Sequence, residues 1–275
     1  MKLKLLFLTT LILLPLTHAD AKAKVFILSG QSNMSGGAPV APEGLQCDPA
    51  VGDKVRMWDV SDAWNKRGVL GKWASLNELQ VMKKEMKADF IGPEFGFAKA
   101  MSELYPADEI HLIKVAKGGT PINFWLPDAN GKPNGHTQLL ENLKNALGKI
   151  EGEYEIMGML WMQGESDSKT QADADAYQKK LEQLIALVRK ETNKPELPVV
   201  IGRLSSRILE STKFKMPFVK TVQSAQEAVT QTDKNVFVID TDDLTQRDDL
   251  VHYDQAGQLG LGKRFGEAMV KTLKK

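Results

Sequence analysis

Ser32 stands two residues beyond Gly30, and His252 stands three residues after Asp249, near opposite ends of a 275-residue chain. A hydroxyl, an imidazole and a carboxylate are the groups from which a nucleophilic hydrolase is built. Gly30 lets the backbone turn sharply, so a serine just past it can project its hydroxyl while nearby N–H groups stay free to meet an anion. The same turn suits a serine that merely caps a helix. A serine nucleophile also needs a base, and the chain has four histidines. His18 lies in an N-terminal leader-like segment, His111 inside an apolar run, and His136 in a Gly/Pro/Asn loop. His252 lies just before the last helical pattern. The D-x-x-H spacing lets the Asp249 carboxylate accept from one ring nitrogen and leaves the other for Ser32. Asp242, Asp243, Asp248 and Asp254 crowd the same loop, so the pair takes its meaning from Ser32.

Acyl transfer also builds negative charge on a carbonyl oxygen, which needs donors. Gly118-Gly119 can offer bare backbone N–H groups, or be a plain left-handed turn. Gln163 can offer a side-chain amide, or be a buried glutamine satisfied by backbone.

These residues need elements to hold them. Five runs rich in Val, Ile, Leu and Met read as buried strands: Lys24–Ser29, Ile110–Ala116, Ile156–Met162, Pro198–Leu204 and Asn235–Thr241. Near-continuous apolar runs suit a parallel sheet covered on both faces. Helical patterns lie between them, at Gly92–Leu104, Thr137–Ile150, Asp175–Lys190, around Val219–Val229 and at Asp254–Leu273. The alternation predicts a three-layer α/β/α sandwich on a five-stranded parallel sheet. Ligands of such sheets bind at the carboxyl ends of the strands, where Ser32, Gly119, Gln163 and the Thr241–Asp254 loop all fall. Residues 35–90 interrupt the pattern and read as a long insertion that decorates a cleft. Trp58, Trp64 and Trp73 lie in it, and Trp125 lies just past the paired glycines. Exposed, they would stack on sugar rings; packed, they would be core, the commoner fate of tryptophan.

Composition narrows the class. The chain is 42% hydrophobic and 26% charged with a formal net charge of +1, an ordinary globular balance with no electrostatic footprint for nucleic acid. One cysteine, Cys47, excludes an internal disulfide framework and a cysteine-rich zinc module. Lys2 and Lys4, the apolar stretch Leu5–Leu16 and Ala19-Asp20-Ala21 together read as a signal peptide over residues 1–21. The apolar stretch is shorter than the roughly 20 residues a spanning helix needs. The expectation is a secreted or periplasmic protein, a single domain over 22–275, with no membrane anchor after cleavage.

Four blocks together resemble the SGNH-hydrolase superfamily: Gly30-Gln31-Ser32-Asn33-Met34, Gly118-Gly119-Thr120, Trp161-Met162-Gln163-Gly164-Glu165-Ser166 and Asp249-Leu250-Val251-His252. They are most similar to its sialate O-acetylesterase-like and acetylxylan-esterase branch, from about Val25 to Phe265. The resemblance implies a flavodoxin-like parallel sheet and a serine esterase that needs no cofactor or metal. It implies Ser32 as nucleophile, His252 as base and Asp249 as its orienter, with Gly119 and the Ser32 backbone N–H as oxyanion donors. Two positions depart from the wider superfamily. Gln31 replaces the usual aspartate before the serine, and the G-x-N-D block has no asparagine, so Gln163 becomes the substitute third donor. Gln31, Asn33, Trp125 and Glu165 remain candidates to touch substrate or support the site. The resulting expectation is an esterase that removes O-acetyl groups from a carbohydrate through an acetyl-enzyme. Its rivals are a metal-dependent hydrolase using Glu165, Asp167, Asp240, Asp242, Asp249 and His252, and a carbohydrate-binding protein without turnover.

Overall fold

All five expected strands form, with ends shifted by at most two residues, in a computed structural model that describes residues 22–39, 49–61, 71–79 and 90–274. The signal-peptide residues 1–21, Cys47, Trp64 and parts of the 35–90 stretch lie outside the described residues. The strands are β1 (Ala23–Gly30), β2 (Ala38–Pro39), β3 (Val55–Asp59), β4 (Trp73–Ser75), β5 (Phe90–Ile91), β6 (Ile110–Ala116), β7 (Tyr154–Met162), β8 (Val199–Gly202) and β9 (Val236–Ile239). Seven of them make one sheet in the order β4-β3-β6-β1-β7-β8-β9. Every pairing in it is parallel except that of β4 with β3. Two of the seven, β3 and β4, come from the stretch read as a cleft decoration. Val55, Met57, Trp58 and Ala74 are buried in the main core, so this part of the stretch extends the sheet.

The helices that matter for the site are α1 (Ser32–Ser35), α2 (Pro49–Lys54), α3 (Glu94–Leu104), α4 (Gly135–Leu147), α5 (Gln171–Glu191), α6 (Val219–Thr232) and α7 (Gln255–Leu273). Helix α3 packs on α7, and α5 packs on α6. The α3–α7 contact is backbone to backbone. A Cβ on Gly262 would stand 2.0 Å from the Pro93 carbonyl oxygen, and one on Gly96 would stand 2.4 Å from that of Leu259. Asp254 caps α7 by accepting from the Gly257 N–H at 2.8 Å. The loop carrying His252 is therefore fastened to a helix packed closely against α3.

The chain leaves β1 toward β3 on one side, while β6 connects past β1 to β7 on the other. The carboxyl end of β1 is thus the point where the winding reverses and a crevice opens. Ser32 begins there. Trp58 and Trp125 are buried, with indole N–H groups on Asn142 Oδ1 (3.2 Å) and Thr120 Oγ1 (3.1 Å). Trp73 is half-buried with its N–H on the Ala146 carbonyl at 3.1 Å. Of the two readings open for these three, packing is the one that the structure favours.

Candidate active site

Gly30 makes the serine turn possible. Its φ is +146°, and a Cβ there would lie 2.0 Å from the Met162 carbonyl oxygen. That same carbonyl accepts from the Gln31 N–H at 2.9 Å, so the ends of β1 and β7 close together. The chain then enters α1, and Ser32 Oγ comes to 3.1 Å from His252 Nε2. The two residues are 220 positions apart in the sequence.

His252 is held on its other side by Asp249. Asp249 Oδ2 lies 2.8 Å from His252 Nδ1, and Oδ1 accepts from the backbone N–H groups of Val251 (2.9 Å) and His252 (2.8 Å). Burial raises the Asp249 carboxyl, but these hydrogen bonds and the imidazole outweigh it and hold it below the usual carboxylate range. The turn between the two residues requires Leu250 at φ +55°, one of two non-glycine residues with positive φ among those described. Two neighbours were not singled out from the sequence. Ser211 Oγ donates to the Asp249 carbonyl at 2.6 Å, and the Phe214 ring stands edge-on to the imidazole, centroids 6.0 Å apart. Their only sequence signal is position, after a strand's carboxyl end. An open groove of about 1120 Å³ reaches Asp249 from outside, lined among others by Pro39, Lys213, Arg247 and Asp254.

The oxyanion candidates divide. The backbone N–H groups of Ser32 and Gly119 have no acceptor among the described residues. Gly119 is exposed at φ +69°. Gln163 is fully buried and its amide is already engaged. Nε2 donates to Asp167 Oδ2 at 2.5 Å and to the Thr120 carbonyl at 3.0 Å, and Oε1 lies 3.0 Å from the Tyr177 hydroxyl. An amide with both hydrogens spent has none left for a substrate oxygen. Its bonds instead tie the end of β7 to the loop that presents Gly119.

The remaining candidates lie behind this line. Gln31 Oε1 accepts from the Ser166 N–H at 3.3 Å. Glu165 is buried, with Oε1 accepting from Asn33 Nδ2 at 2.8 Å and Oε2 without a partner among the described residues. Burial pushes its carboxyl up, against the Asn33 bond. Asp167 is pushed up to about 6 by burial, opposed by the Gln163 amide and the Ile122 N–H. Trp125 serves by holding Thr120. The carboxylates of the metal reading are dispersed: Asp240 and Asp242 pair with Arg203, Asp249 with His252, Glu165 with Asn33 and Asp167 with Gln163. Among the described residues no three His, Cys, Asp or Glu side chains gather as metal ligands would. His111 lies in β6 against Glu109 at 2.8 Å, and burial lowers its pKa; His136 lies in the first turn of α4.

The model of the family described as "Carbohydrate esterase, sialic acid-specific acetylesterase" matches residues 22–271. A curated relative from Arabidopsis thaliana, a "Probable carbohydrate esterase", is 27% identical over 254 residues, covering 90% of this chain and 91% of its own. An X-ray structure of an Arabidopsis thaliana protein superposes with a TM-score of 0.69 at 25% identity, covering 91% of this chain and 98% of that one. A carbohydrate acetylesterase from Xanthomonas citri shares the fold at a TM-score of 0.65 and 18% identity, over 91% of this chain and 57% of that one.

Proposed function

The chain belongs to the sialic acid-specific acetylesterase family of carbohydrate esterases, and from that premise we propose that it is a serine O-acetylesterase working through an acetyl-enzyme on Ser32. The protein is a carboxylic-ester hydrolase of carbohydrates by family. His252 Nε2 takes the Ser32 proton as Oγ attacks the acetyl carbonyl carbon. Asp249 keeps the proton on Nδ1 and steadies the imidazolium. The tetrahedral oxyanion meets the N–H groups of Ser32 and Gly119. Collapse breaks the bond to the sugar oxygen, which takes the proton from His252 and leaves as the free hydroxyl. Water, deprotonated by the same imidazole, then attacks the acetyl-serine; as the second tetrahedral intermediate collapses, the imidazolium returns its proton to Ser32 Oγ and acetate departs.

The observation that carries this reading is the relay Ser32–His252–Asp249 at 3.1 and 2.8 Å, assembled across 220 residues, with the N–H groups of Ser32 and Gly119 unclaimed among the described residues. The substrate we propose is an O-acetylated glycan or sialoside, and the compartment is outside the cytoplasm, on the strength of Lys2 to Ala21. Acetate release should be measured on acetylated xylans and O-acetylated sialosides with Ser32→Ala alongside. The wild type should release acetate, and the folded variant should lose on the order of 10⁶ in kcat. Most of the activity surviving in that variant would end the serine mechanism. N-terminal sequencing of the exported protein should begin near Lys22.

A further inference from the structure

Asn33 follows the proposed nucleophile, is 1% exposed, and has every polar group of its side chain engaged. Nδ2 donates to Glu165 Oε1 at 2.8 Å and to the Val251 carbonyl at 2.9 Å. Oδ1 accepts from the Tyr253 N–H at 3.2 Å. Val251 and Tyr253 are the residues on either side of His252. We infer that Asn33 is a positioning residue that sets the Ser32–His252 distance by gripping the histidine's backbone from both sides, an inference that rests on the proposed triad.

Other contacts of the His252 loop fix different things. The Asp249 bonds to Val251 and His252 set carboxylate against imidazole within the loop. The Arg247 N–H to the His252 carbonyl (2.8 Å) and the Gln246–Tyr253 bridge fold the loop on itself. Asp254 ties it to α7. None of these refers to Ser32. Asn33 does, because it is joined to Ser32 by one peptide bond and reaches both neighbours of the base. Glu165 chooses the orientation of the amide. With a carboxylate and a carbonyl on one side and an N–H on the other, only one of the two amide rotamers leaves every partner satisfied. Asn33 is too buried and too fully bonded to meet a substrate. Its effect passes through the imidazole, where a misplacement of about 1 Å costs on the order of 10²-fold in rate.

The test is a double-mutant cycle. Asn33→Ala and Asn33→Asp are assayed in the wild type and in His252→Ala, on p-nitrophenyl acetate and by acetate release, with Ser32→Ala as a reference and thermal melts on each preparation. In the wild-type background kcat should fall about 10- to 100-fold with KM changed less than about twofold. In His252→Ala the same substitution should change kcat less than about twofold, since no imidazole remains to be placed. Asn33→Asp keeps the shape and the acceptor but loses both donations. It should follow the alanine variant, and it keeps the cycle readable if alanine prevents folding. An equal fold-loss in both backgrounds, or a wild-type kcat in folded Asn33→Asp, overturns the inference. Retained activity in Ser32→Ala or His252→Ala would instead sink the triad, a result that can be told apart because it precedes the cycle.

Discussion

The loop from Thr241 to Asp254 and the turn from Gln163 to Lys169 both follow the carboxyl ends of strands in the main sheet, and both are rich in carboxylates, yet they treat them in opposite ways. Asp249, with its side chain 10% exposed, is given two backbone N–H groups and an imidazole, and is held below the usual carboxylate range. Glu165 and Asp167 are fully buried with fewer donors, and burial pushes both up, Asp167 to about 6. Burial works against the charge in all three; Asp249 is the least buried, has the most aimed donors and faces an imidazole, and together these keep it charged. The contrast separates a loop where charge is kept to steady an imidazolium from a turn where polar groups satisfy one another and hold the neighbouring loop still.

The largest effect expected from breaking this contrast is at Asp249. Asp249→Asn can still accept the two backbone bonds but offers an N–H to Nδ1, favouring the wrong tautomer. The kcat should fall about 10³–10⁴-fold with the melting temperature little changed. A loss under tenfold would show that this carboxylate does not orient the base. Next comes Gln163→Ala, which strips Asp167 and the Thr120 carbonyl of a donor and leaves a cavity. Stability should drop by about 2–4 kcal/mol, or several degrees in melting temperature. The folded variant should keep kcat within about tenfold. A 10²–10³-fold fall in kcat at an unchanged melting temperature would return Gln163 to the oxyanion hole. The smallest effect is at Asp167. Its carboxyl binds a proton more tightly in the fold, near 6 against 3.8 when free. This preference adds stability below the lower value that is lost as pH rises through the higher one. Asp167→Asn cannot titrate, so the melting temperature of variant minus wild type should climb by a few degrees from about pH 4 to about pH 6.5, then level. A flat difference would mean that Asp167 has no raised affinity for its proton.

How far the sequence could be read follows the same division. The strand runs were legible because their cores are apolar on both faces, and Ser32 and His252 because each follows or precedes a strongly patterned element. Spacing alone was not enough. Asp108 and His111 also stand three apart, but His111 sits in β6 and bonds Glu109. Strands β3 and β4 are not legible, because Val55–Asp59 mixes Arg56 and Asp59 with apolar residues, and Trp73–Ser75 is three residues long. Nothing near Gln163 in the sequence shows that Thr120 and Tyr177 converge on it, so its amide reads there as free to donate. Asn33 was legible only as a neighbour of the serine; its grip on Val251 and Tyr253 spans more than two hundred residues.

That distance has a consequence for how the protein comes into being. A chain folded only as far as β9 holds all seven strands of the main sheet and the turn with Ser32, but no base. The hydroxyl waits without a partner until the loop to Asp254 emerges and α7 seats its glycines against α3. Activity is therefore a report on completion: a chain stalled or clipped before that helix docks can hold much of its architecture and still be chemically silent. In such a molecule the return of acetate release during refolding would read out the docking of that loop and helix, a long-range contact that forms slowly by its nature.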